Sequence, residues 1–72
     1  MRQGVIVPAH DEDYLDIRFD LDEFFGGLRC GQCFDVFAHG RWIPTRIEKN
    51  NNWYLIGIPI VDLIGLRVRI ED

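Results

Sequence analysis

The sequence predicts an all-β fold: a single small domain over residues 1–72, built as a five-stranded, partly open barrel with a 3₁₀ turn before its last strand. Three observations predict it. Glycines at positions 26, 27, 31, 40, 57 and 65 punctuate the chain at the short intervals of strand-connecting turns. The stretch "YLDIRFDL" sets Leu15, Ile17, Phe19 and Leu21 against Asp16, Arg18 and Asp20, the period-two pattern of a half-buried strand. "PIVDLIG", by contrast, shows no alternation and is too short for a stable helix, so a single 3₁₀ turn fits it.

The elements follow in order. "GVIV", from Gly4 to Val7, reads as a short strand stopped by Pro8. The alternating segment lies inside a long acidic excursion, where "LDEFF" has room for a brief helical turn before Gly26 and Gly27 end it. "QCFDVFAH" then opens a meander. Gly40 turns it into "RWIPTRIE", and "KNNN" turns that into "WYLIGI", since asparagine tolerates left-handed backbone geometry. "LRVRIE" closes the chain with Leu66, Val68 and Ile70 inward and Arg67 and Arg69 outward.

In the central hairpin, a two- or four-residue loop at the asparagines places Glu48 opposite Trp53. Ile43, Thr45, Ile47, Tyr54, Ile56 and Ile58 then share a core face, and Trp42, Arg46, Glu48, Trp53 and Leu55 share a surface. A three-residue loop shifts the register by one and swaps the faces of the returning strand.

Composition supports a folded domain near the lower size limit for a hydrophobic core. Its 72 residues are 47% apolar with nine aromatics, which excludes a disordered chain. No apolar run reaches the roughly 18–20 residues of a membrane helix, the first residues lack the pattern of a signal peptide, and two cysteines make no disulfide framework. A cytoplasmic protein without membrane contact, monomeric or weakly dimeric, is expected. The net charge of −4 conceals a segregation: residues 11–23 hold seven of the twelve acids and one base. Residues 24–70 hold six bases and three acids. Charge balance within the molecule is the plain reading, and two kinds of partner the sharper one.

Candidate chemistry is thin. Cys30 and Cys33 form a C-x-x-C pair, and with His10 and His39 they could fill a zinc site. No second compact ligand pair exists, however, and His39 lies at the far end of the strand that starts near Cys33, roughly 20 Å away at about 3.3 Å per residue. A thioredoxin-like pair needs a helix after the first thiol, and a strand follows here. The reading is a turn cysteine at 30 and a small buried strand residue at 33, both reduced and metal-free. The chain has no serine, one threonine (Thr45) and one lysine (Lys49), and no phosphate-cradling glycine loop, so no catalytic residue and no cofactor is expected. The pairs Asp11/Asp13 and Asp20/Asp22 lack EF-hand spacing and read as a solvated acidic loop.

The order of elements resembles the SH3-like barrel. "RCGQCFDVF" sits where SH3 domains open a strand after their diverging turn, "GRWIPTRI" where their Trp-bearing strand lies, and "LIGIP" where they carry G-x-I-P. The aromatic ridges of a polyproline groove are missing, with "PAHDEDYLDI" in place of the Tyr-rich segment and Asp62 or Leu63 in place of the last Tyr. A further resemblance is to a small uncharacterised bacterial domain family, found mainly in Firmicutes and often on phage or conjugative elements. Its pattern is matched by Leu28, Cys30, Gly31, Phe34 and Val36, by Trp42, Ile43, Thr45, Arg46, Ile47 and Glu48, by Trp53, Tyr54, Leu55 and Gly57, and by Leu63, Gly65, Leu66, Val68, Arg69 and Ile70. That resemblance covers roughly residues 15–71 and implies no assigned activity.

The expected function is a non-catalytic protein-interaction module, an accessory of a phage or mobile element. The acidic loop (Asp11, Asp13, Asp20, Asp22) takes a basic partner, and Trp42 and Trp53 are its apolar anchors. The alternative is a nucleic-acid-binding barrel using Trp42, Arg46, Trp53 and Arg69 as one surface of exposed aromatics among bases.

Overall fold

The computed structural model describes residues 1–10 and 13–71. It is all-β, with seven strands: β1 (Arg2–Pro8), β2 (Leu15–Asp20), β3 (Glu23–Phe24), β4 (Cys33–Ala38), β5 (Arg41–Asn50), β6 (Asn52–Leu55) and β7 (Arg67–Ile70). They form one antiparallel sheet in the order β3-β2-β1-β7-β4-β5-β6. The strand count corrects the expectation of five. The acidic excursion is itself a hairpin, β2–β3, and the stretch expected to hold a helical turn supplies its tight turn and returning strand.

The sheet is strongly curved but does not close, since β3 and β6 are its two edges and no ladder joins them. Side chains and loops bridge the gap instead. Residues 25–28 run beside β2, with the Phe25 amide bonded to the Ile17 carbonyl at 2.8 Å and the Leu28 amide to the Leu15 carbonyl at 2.8 Å. From the other end, the Trp53 indole Nε1 donates to the Asp13 carbonyl at 2.9 Å. The concave face encloses the core: Ile6, Ile17, Leu28, Phe34, Val36, Ile47, Leu55, Ile58, Leu63, Val68 and Ile70. Each such side chain contributes about 1.5–3 kcal/mol by burial. On β1, Gly4 lies so close to β2 that a Cβ there would stand 2.4 Å from the Arg18 carbonyl oxygen and 2.7 Å from Ile17 Cγ2.

Turn chemistry explains what the sequence placed well and what it did not. His39 and Gly40, at φ 54° and 76°, form the two-residue β4–β5 loop with positive φ at both positions, which matches the twist of the flanking strands. The second hairpin turns at Asn51, φ 66°, and pairs Lys49 with Trp53, Glu48 with Tyr54 and Ile47 with Leu55. This is the register of the three-residue loop, the alternative to the two- or four-residue one, so the faces of β6 are swapped relative to the first assignment. Leu55 is buried beside Ile47, while Tyr54 and Ile56 are exposed. The expected 3₁₀ turn is not confirmed as an element of its own. Residues 59–66 run irregularly, with the Ile60 amide bonded to the Ile58 carbonyl at 2.9 Å and a single turn from the Leu63 carbonyl to the Leu66 amide at 3.2 Å.

Candidate interaction surfaces

The acidic residues do not make one loop surface. Asp11 lies outside the described residues. Asp13 precedes β2, whereas Asp20 ends it and Asp22 follows in the β2–β3 turn, so the length of the strand, roughly 20 Å, separates them. Asp16 is a structural group. Its buried Oδ1 accepts the amides of Ile17 at 2.7 Å, Gly26 at 3.0 Å and Gly27 at 2.8 Å. One carboxylate oxygen thus satisfies three backbone donors and pins the segment that lines β2. Asp20 Oδ1 caps the Leu21 amide at 2.8 Å, and Glu23 pairs with Arg2.

The two tryptophans face opposite ways. Trp42 lies on the convex face, edge-on to Phe37 with 5.2 Å between ring centroids. Arg69 and Arg67 lie over its ring at 4.6 and 5.6 Å. Arg69 also pairs with Asp35 at 2.8 Å, and Arg46, on the same face, pairs with Glu48 at 2.8 Å. Trp53 instead sits at the end of the concave face, 6.2 Å from the Tyr14 ring, with Lys49 Nζ 5.2 Å from its own ring. The expected single surface of Trp42, Arg46, Trp53 and Arg69 is therefore corrected: the one-residue register shift moves Trp53 away from the other three.

Trp53 divides two concavities. On one side it opens on a cleft of ≈ 840 Å³ lined by His10, Tyr14, Arg29, Cys30 and Lys49. On the other lies an open apolar groove of ≈ 990 Å³, between β6 and the irregular segment that follows it. Leu15, Leu55, Ile58, Val61 and Ile64 line this groove, with Val61 95% exposed. Sequence reasoning misses it because "PIVDLIG" shows no alternation and reads as a single 3₁₀ turn. The signal available was the run of twelve uncharged residues from 50 to 61. Both cysteines are free and exposed, which corrects the buried placement of Cys33: it points outward from β4, its thiol 3.8 Å from the Gly31 carbonyl. Among the described residues, no group of three His, Cys, Asp or Glu side chains could hold a metal ion, and no helix is long and apolar enough to cross a membrane.

Comparison with known proteins gives a family without an activity. Nothing matches among curated proteins. A crystal structure of a protein from Ruminococcus gnavus, determined by a structural-genomics consortium, superimposes with a TM-score of 0.89 at 48% sequence identity. The match covers 96% of this chain and 100% of that one. Its source is a Firmicute, the group to which the resemblance pointed. Residues 4–70 match the family model described as "Domain of unknown function (DUF5348)". A match over nearly the whole sheet places the chain in that family: it is a DUF5348 domain.

Proposed function

We propose that this domain is a non-catalytic protein-interaction module, an SH3-like barrel opened along the seam between its edge strands β6 and β3, working in the cytoplasm as a monomer or weak dimer. The accessory role on a phage or mobile element is what the family resemblance implies. The observation that carries the reading is the apolar groove beside β6. Edge strands are ordinarily blocked by charge, proline or brevity. β3 has this protection, being two residues long and carrying Glu23. β6 has neither charge nor proline.

The Ile56 amide bonds to the Arg46 carbonyl at 3.0 Å, so by antiparallel alternation the amides of Trp53 and Leu55 point away from β5; Leu55 is already bridged to Ile58, which leaves the Trp53 end of the edge for a partner. The occupant that fits is an extended, uncharged segment of a partner protein, adding to the β6 edge and setting alternate apolar side chains in the groove. The test is selection of peptides from a random display library, followed by titration of the isotope-labelled domain. Selected sequences should be extended and apolar at alternate positions, and should shift the amides of Trp53, Leu55 and Val61. Val61→Asp should abolish binding while leaving the fold intact. Peptides that bind Val61→Asp as well as the parent protein would sink the groove as the docking site.

A second reading, nucleic-acid binding, is favoured by one specific observation on the opposite face: Arg18 and Arg67, which have no acidic partner among the described residues, lie beside exposed aromatic rings.

A further inference from the structure

Strand registers build a feature on the convex face that no stretch of sequence displays. Phe24 pairs with Arg18, Arg18 with Val5, and Val5 with Arg67. Extending the β4–β7 register by one residue brings Arg67 beside Phe37, and its guanidinium carbon lies 5.3 Å from that ring. Phe37 pairs in turn with Trp42. Six strands thus align Phe24, Arg18, Val5, Arg67, Phe37 and Trp42 in one row, roughly 24 Å long at about 4.8 Å per strand. A depression of ≈ 440 Å³ lies on the row between Arg18 and Arg67, with Val5 in its floor and Asp20 and Leu21 on its rim.

The charges on this row are unbalanced. Arg2, Arg46 and Arg69 each have a carboxylate partner. Arg67 instead donates to the Gln3 amide oxygen at 2.9 Å, and Arg18 Nε to the Asp20 backbone carbonyl at 3.2 Å. Neither pairs with a carboxylate among the described residues. Asp20 keeps its own Oδ1 on the Leu21 amide. Two positive charges and one carboxylate, Asp20, therefore border a shallow, mainly apolar depression, with exposed rings at both ends: Phe24 at 52% and Phe37 at 37%.

We propose that this face binds single-stranded nucleic acid laid across the row, its phosphates at Arg18 and Arg67 and its bases stacked on Phe24, Phe37 and Trp42. This rests on the nucleic-acid reading above and names its site. An anionic ligand is set by the two unpaired guanidiniums. Exposed rings separated by cations match unpaired bases joined by phosphates, because every base offers a π-face to stack. Duplex DNA hides those faces, and an acidic peptide has none.

The experiment is a fluorescence anisotropy titration with fluorescein-labelled decathymidylate at two salt concentrations. The parent domain should bind at low salt and weaken as salt rises, with a slope of about 0.7 per phosphate contacted. Arg18→Gln with Arg67→Gln should lower affinity roughly tenfold or more and flatten that slope. Lys49→Ala, on the other side of the sheet, should leave binding unchanged. In Trp53→Phe, Trp42 is the sole indole, and its emission should be quenched by the oligonucleotide.

No binding at low salt would overturn the nucleic-acid reading altogether. Binding that survives the double substitution would overturn the row while leaving that reading standing. Equal affinity for a decamer duplex, displacement by a poly-glutamate peptide, or an unquenched Trp42 would overturn base stacking and leave a general anion site. If the double variant melts early, Arg18→Gln alone carries the comparison, since that side chain lies at the rim.

Discussion

Trp42 and Trp53 make a natural pair for comparison. Each has an aromatic neighbour and a cation over its ring. Yet Trp53 ties two ends of the sheet together through its indole nitrogen, while Trp42 meets only Phe37, Arg67 and Arg69 of its own convex face among the ring contacts of the described residues. Similar local chemistry therefore does structural work at the seam and leaves a surface available on the convex side. The lesson is that an aromatic–cation contact does not by itself mark a binding site. What matters is whether the groups around it are already committed to the fold.

Substitutions should separate these two regions. The largest effect is expected just beneath the convex row, at Gly4→Ala, where a Cβ meets backbone oxygen and cannot be relieved by a rotamer change. A loss of about 3 kcal/mol is expected, in the overpacking range. For a domain of this size each kcal/mol lowers the melting midpoint by about 4–8 °C, so calorimetry will read it directly. Next comes Asp16→Ala on the seam side, which orphans the amides of Ile17, Gly26 and Gly27 together. About 2–3 kcal/mol should be lost, and amide exchange at Gly26 and Gly27 should accelerate.

Trp53→Phe keeps a ring but removes the bond to the Asp13 carbonyl and trims the contacts with Tyr14 and Lys49, for a loss of about 1 kcal/mol or more in urea unfolding. Trp42→Phe should cost under about 0.5 kcal/mol, as surface substitutions do. If Trp42→Phe proves the more destabilising of the two, the contrast between seam and open face is wrong.

The alternation in "YLDIRFDL" and "LRVRIE" is enough to orient β2 and β7, and Gly40 marks its own turn, although the strand read through His39 ends one residue earlier, at Ala38. The failure lay at three consecutive asparagines, 50 to 52, any of which accepts a positive φ. Choosing among them decides the parity of everything after, so Trp53, Tyr54, Leu55 and Ile56 all came out on the wrong face. β3, only two residues long, offers no period to detect. The convex row was invisible for a different reason. It depends on β1 lying beside β7, a contact between positions more than sixty residues apart that no local pattern encodes.

That same adjacency has a kinetic meaning. β7 alone joins β3-β2-β1 to β4-β5-β6, so the sheet has two halves with a single shared strand, and that strand is made last. During synthesis, the β4–β5–β6 meander can pair from local contacts as soon as it leaves the ribosome. The first three strands have only each other until Ile70 emerges. Because non-local pairing slows folding, docking of β7 between the halves is expected to be slower than pairing within the β4–β5–β6 meander.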